Sequence, residues 1–85
     1  MTNSMKELIE FPTIFTFKAM GDNTDDFRNN IKEVFSVHSV EAITENVSTK
    51  GTYTAISVTV SVNDFDEMQH IYTKIKQTKG LKYHL

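Results

Sequence analysis

The chain has 85 residues, a formal net charge of −2 and no cysteine. A domain of that length buries roughly 65% of its unfolded surface, enough for one small core, and without cysteine there is no disulfide framework and no thiolate metal site. The slightly acidic balance gives no electrostatic pull toward a nucleic acid or an anionic membrane. No apolar run nears the ~20 residues of a membrane span, so the expectation is a cytoplasmic protein with neither partner.

Residues 1–12 read as an N-terminal extension to a single domain spanning 1–85. MTNSMKELIEF lacks the apolar stretch of a signal peptide. Ser4 and Glu7 have capping-box spacing, which predicts a short helical turn with Leu8 and Ile9 facing the domain. Pro12 ends that turn and pushes Phe11 toward extended backbone.

Thr13 to Met20 (TIFTFKAM) is the first predicted strand. Phe15, Phe17 and Ala19 share one face; Ile14, Thr16, Lys18 and Met20 share the other. The aromatic face is the expected core side, and Gly21 is expected to break the strand. Asn23 or Thr24 then caps a helix with Asp25 and Asp26 in its first turn. Phe27, Ile31, Val34 and Phe35 recur at helical spacing, and the helix should run to about Val37. Val40 to Ser48 is a weaker strand. Ile43 and Val47 lie on one side of it with Glu45 between them, which points to a sheet edge where a charge discourages further pairing. Thr49, Lys50 and Gly51 form a hairpin turn, with Gly51 at positive φ.

The strongest signal in the chain is TYTAISVTVSV, Thr52 to Val62. Ile56, Val58, Val60 and Val62 alternate with Ala55, Ser57, Thr59 and Ser61, a β-branched period of two that marks a central strand with one buried face. Asp64 caps a second helix, Glu67 completes a capping box, and Phe65, Met68, Ile71, Tyr72 and Ile75 form the apolar stripe. Gly80 fits the C-terminal cap of that helix. Leu81 to Leu85 is a short final strand with Leu81, Tyr83 and Leu85 on one face.

The order β-α-β-β-α-β, with right-handed crossovers, predicts an α+β fold, the ferredoxin-like sandwich. It has a four-stranded antiparallel sheet with the first and third strands central and two helices on one face. The open face would carry Thr16, Lys18, Tyr53, Ser57 and Thr59, with Lys82 and His84.

Two stretches, LIEFPTIFTFKAMG (Leu8 to Gly21) and STKGTYTAISVTV (Ser48 to Val60), resemble the YbeD-like family of small bacterial proteins. The resemblance covers nearly the whole chain; its most specific parts are the Glu-Phe-Pro-Thr entry and the Ser-x-Lys-Gly-x-Tyr hairpin. Phe11, Pro12, Lys18, Gly21, Lys50, Gly51 and Tyr53 match recurrent residues of that family. Between Ser36 and Val47 the chain shows no family motif. The resemblance implies a ferredoxin-like fold similar to ACT-type regulatory domains and implies no reaction.

The chemistry-bearing residues point away from catalysis. His38, His70 and His84 have no metal-ligand spacing. The carboxylates Asp22, Asp25 and Asp26, and then Asp64, Asp66 and Glu67, sit at the two helix starts, where capping explains them. They leave no anion-free helix terminus to cradle phosphate, and no Gly-rich loop is present. No cofactor, metal or catalytic residue is expected. The candidate surface for a protein or small-metabolite partner is Lys18, Gly21, Lys50, Gly51, Tyr53 and Ser57, on or beside the open face. Lys18 could pair with Glu45, with a partner's carboxylate or with a small anion. Gly21 could serve as a hinge that admits a ligand or partner. A homodimer through the sheet edges is a further expectation. The alternatives are a small hydrolase or transferase, and an RNA-binding module. Tyr53 is the single aromatic expected on the open face, and RNA-binding sheets of this type present several in basic surroundings.

Overall fold

The computed structural model describes residues 10–84; the expected turn at Ser4–Glu7, the packing of Leu8 and Ile9, and Leu85 lie outside them. The elements are β1 (Thr13–Asp22), α1 (Asp25–Val34), β2 (Ser39–Val47), β3 (Tyr53–Val62), α2 (Phe65–Lys76) and β4 (Leu81–His84). The strands form one antiparallel sheet in the order β2-β3-β1-β4 with the helices on one face, the expected ferredoxin-like arrangement.

Its centre is the pairing of β1 with β3, unbroken from Thr13 opposite Val62 to Asp22 opposite Tyr53. Side chains on paired strands alternate between faces, so this register puts Phe17, Ala19, Ile56, Val58, Val60 and Val62 on one side. Phe27, Ile31 and Phe35 from the first helical segment, and Met68, Ile71 and Ile75 from α2, close over them, and all are buried. Full burial of side chains this size contributes about 1.5–3 kcal/mol each. The aromatic rings pack edge to face, with Phe15 and Phe17 at 4.9 Å and Phe17 and Tyr72 at 5.0 Å between centroids.

Both helix starts are capped by side chains. Thr24 Oγ1 accepts from Phe27 N at 3.1 Å, and Asp64 Oδ1 accepts from Glu67 N at 2.8 Å. Glu67 reaches back one residue further than a capping box requires, its Oε1 accepting from Asn63 N at 2.8 Å.

Several ends differ from expectation. The first helix stops at Val34, and residues 35–37 turn through hydrogen bonds from Ser36 N to Glu33 O and from His38 N to Phe35 O. Gly80 is not the cap of α2. That helix closes at Gln77, and Gly80 sits three residues on, at φ +92, in the turn into β4. Gly51 has the expected positive φ, +75, in a hairpin where Gly51 N donates to Ser48 O at 2.8 Å.

Gly21 does not end β1; the strand continues to Asp22. A Cβ at Gly21 would stand 2.5 Å from the carbonyl oxygen of Gly80 and 2.5 Å from the ring of Phe27. Phe27 therefore occupies the volume that any side chain at position 21 would need. Gly21→Ala should lower stability by about 1–3 kcal/mol, the usual cost of overpacking a filled core. In urea denaturation, Gly21→Ala combined with Phe27→Leu should cost less than the two single changes added together, because both act on one contact. Strict additivity would show that the Phe27 ring is not what excludes a side chain there.

Candidate interaction surface

Among the described residues nothing covers the sheet face away from the helices. Along β1 it presents Ile14, Thr16, Lys18 and Met20, all exposed. Across from them on β3 stand Ser61, Thr59, Ser57 and Ala55, with Tyr53 at the end. Thr16 and Thr59 share a hydroxyl hydrogen bond of 2.9 Å. The floor is thus made of small and hydroxyl side chains, with Lys18 as its cation in the middle, directly opposite Ser57.

β4 completes this face differently from the alternation read in the sequence. A register shift between Met20 and Gly21 pairs Met20 with Tyr83 and Gly21 with Leu81, leaving Lys82 as the extra residue. A bulge of this kind turns the following side chains over. Tyr83 therefore lies on the open face beside Met20, while His84, opposite Ala19, lies on the helix side near Tyr72. Leu81 packs against the core. Lys82 reaches back to Asp22 at 3.8 Å. The expected grouping of Lys82 and His84 on the open face is thus replaced by Tyr83 alone.

Of the residues singled out from the sequence, the structure gathers Lys18, Tyr53 and Ser57 on one surface. Lys50 and Gly51 stand beyond Tyr53 in the β2–β3 hairpin. That hairpin is tied to the start of the first helix, where Asn23 Nδ2 donates to Gly51 O at 2.9 Å and Asn23 N donates to Thr52 O at 3.2 Å. Gly21 faces the other way, under Phe27. Lys18 and Glu45 are not partners within the chain, because they lie on opposite faces. Glu45 accepts from Arg28 Nε at 2.7 Å and from Thr54 Oγ1 at 2.5 Å on the helix side. Arg28 also hydrogen-bonds Asn23 and lies 3.5 Å from Asp25. On this face Ile14, Met20 and Tyr83 are exposed apolar residues that were not among the candidates named from the sequence. Ile14 and Met20 were legible from the alternation of β1, whereas Tyr83 depends on a bulge that no local signal announces.

Two concave features lie on the helix side. A cleft of about 610 Å³ lies between the end of the first helix and α2, lined by Val34, Val37, His38, His70, Lys74 and neighbouring residues. A second, of about 430 Å³, runs past Asp22, Phe27 and Gly80. His38 is nearly buried, and its Nδ1 lies 2.7 Å from Glu67 Oε2. The Glu67 carboxyl is held below its ordinary value by the Asn63 backbone N–H and then by His38, so it is an acceptor only and Nδ1 carries the proton. Glu45 is likewise depressed, first by the Thr54 hydroxyl and then by Arg28; burial raises the Tyr72 hydroxyl. Among the described residues no three or more His, Asp or Glu side chains converge as a metal site, and no helix is long and apolar enough to cross a membrane. His84 Nδ1 is buried with no hydrogen-bond partner among them.

A carboxylate with a lowered folded value contributes stability that is complete above its unfolded value and is lost as pH falls through the folded one. The urea midpoint should therefore hold level through neutral pH and fall once pH drops below 4.5, the ordinary value for Glu45 and Glu67. Glu67→Gln should start lower at neutral pH and fall less steeply. Parallel curves for the two proteins would mean that the Glu67 contacts do not distinguish folded from unfolded chain.

Comparison with known proteins bears on the fold and the family. Residues 6–85 match the family model described as a protein of unknown function, DUF493. The UPF0250 protein of Shewanella sediminis is 33% identical over 78 residues, covering 89% of each chain. The UPF0250 protein YbeD of Escherichia coli is 31% identical over 77 residues, covering 88% of each. Among solved structures, the ACT domain from the GTP pyrophosphokinase of Chlorobium tepidum superposes with a TM-score of 0.71 at 16% identity, covering 85% of this chain and 96% of that one. Protein HP0495 from H. pylori gives 0.70 at 16% identity, covering 91% and 85%. The fold is thus ACT-like, and the chain belongs to the DUF493 family of UPF0250 and YbeD proteins, a family of unknown function.

Proposed function

We propose that the protein is a non-enzymatic regulatory or interaction module that docks a protein partner on its open sheet face. The observation that carries this reading is the composition of that face. Exposed Ile14, Met20, Tyr53 and Tyr83 surround a floor of small side chains, with Lys18 in the centre. Tyr and Met are enriched in the cores of protein interfaces. The two clefts described above lie on the helix side, which favours a protein surface over a small metabolite as the occupant of the sheet face. The partner's matching patch would be apolar and hydroxyl-bearing with a carboxylate for Lys18. A net charge of −2 and a single cation on the face argue against RNA. Likeness of fold to an ACT domain carried within an enzyme also fits a regulatory role.

A hydrolase or transferase reading has one observation in its favour, the imidazole of His38 oriented by Glu67 at the edge of the larger cleft. Turnover in a phosphatase, esterase and thioesterase screen that disappears in His38→Ala would replace the first reading with this one.

The test of the docking face is affinity capture from the native cell with the wild type and two variants, Lys18→Glu and Met20→Glu. Both replaced side chains are exposed, so the fold is retained. The expected result is a stoichiometric protein held by the wild type and retained at least tenfold less by either variant. A partner held equally by all three, or recovery of the bait alone, overturns the open face as the docking site.

A further inference from the structure

The larger cleft on the helix layer carries polar groups that neither the core nor the sheet face uses. Its volume of about 610 Å³ falls within the roughly 300–1,000 Å³ of small-molecule sites. Two helices wall it. His70 and Lys74, four residues apart on α2, stand one above the other on the same face of that helix. Glu33 and Val34 line the cleft from the first helix, and His38 from the connection into β2.

The two ends of the cleft differ in chemistry. His38 is bonded to Glu67 in the first turn of α2, which fixes one end, and Lys79 follows the last turn of α2 and fixes the other. Glu33, in the last turn of the first helix, stands at the His38 end. That end offers two acceptors. With its proton held on Nδ1 toward Glu67, the neutral ring of His38 has an acceptor at Nε2, and Nε2 has no hydrogen-bond partner among the described residues. The Glu33 carboxylate has no ion-pair partner among them either. The far end offers the ammonium groups of Lys74 and Lys79, neither of which is in an ion pair among the described residues.

Helix C-termini ordinarily attract cations, but the carbonyls at these two ends are already engaged. Ser36 N and Oγ donate to Glu33 O, and Gln77 N and Thr78 Oγ1 donate to Lys74 O. Side-chain charge therefore decides what the cleft accepts, and two lysines outweigh one carboxylate.

We infer that this cleft binds a small polyhydroxylated anion, a sugar phosphate or a sugar acid. Its anionic group sits at Lys74 and Lys79, and its hydroxyls donate to the Glu33 carboxylate and to His38 Nε2. An inorganic anion satisfies the lysines and leaves both acceptors unmet. A neutral sugar does the reverse. A second anionic group at the far end of the ligand would meet Glu33, so a molecule charged at one end only is the one that fits.

The inference goes beyond the docking role of the sheet face and rests on the opposite layer, so either can fail alone. Its test is backbone-amide NMR of the full chain, titrated to millimolar concentration with ribose 5-phosphate and separately with gluconate. Saturable shifts at His70, Lys74 and Gln77 are expected with one or both, and the pair tells phosphate from carboxylate as the preferred head group. Ribose and inorganic phosphate, each with half of the chemistry, should bind at least tenfold more weakly. Lys74→Glu should weaken binding at least tenfold. Lys76→Glu, an equal charge change on the same helix but outside the cleft, should not. Both lysines are exposed, so both variants keep the fold, and their ligand-free spectra check this. No saturable shift with either compound, inorganic phosphate binding as tightly as ribose 5-phosphate, or equal effects of the two charge variants each overturns the site.

Discussion

Ten consecutive cross-strand pairs between β1 and β3 set every other placement in the molecule. Because side chains alternate along a strand, that one register decides which residues meet the helices and which meet water. A slip of one residue would exchange Phe17 with Lys18 and Val58 with Thr59. The aliphatic run of β3 and the aromatics of β1 hold it in place, since only the observed alignment buries both. Both the helix-side core and the open face are products of this alignment.

The helix layer supplies the second constraint. Its two helices, of 10 and 12 residues, cover the middle of the sheet and β4. The polar ties between layers sit at the margins of the core. Arg28 joins the first helix to Glu45 of β2, and His38 joins the connection before β2 to Glu67 of α2. Each pairs a carboxylate with a cation or imidazole and adds a hydroxyl or backbone donor, which satisfies the acceptor at a partly desolvated margin.

Much of this was legible in the sequence because the signals were local. The period of two in Thr52 to Val62, the capping residues Thr24 and Asp64, and the positive-φ turn at Gly51 each act over a few residues. Phe27, Ile31, Met68, Ile71 and Ile75 gave the helix faces by spacing alone. What escaped depended on distant partners. The flip of Tyr83 onto the open face comes from a bulge opposite Met20. The burial of Gly21 comes from Phe27 and Gly80, residues 6 and 59 positions away. Glu45 read as an edge charge that discourages further pairing, because nothing in β2 reveals that Arg28 reaches it. The open face was legible as a surface from the alternation of β1 and β3, and its apolar corner at Tyr83 was not.

The hairpin that joins β2 to β3 has a bearing on how the chain finds its fold. Its strands are linked by a tight turn at Ser48–Gly51, so their pairing closes only a short loop. β1 must wait for β3 across the whole of the first helix and β2, a longer closure with a larger entropic cost. The most exposed strand of the finished molecule is therefore the one with the most local pairing, and it gives β3 a template before the core exists. The β-branched residues of β2 favour the extended backbone that this local pairing needs.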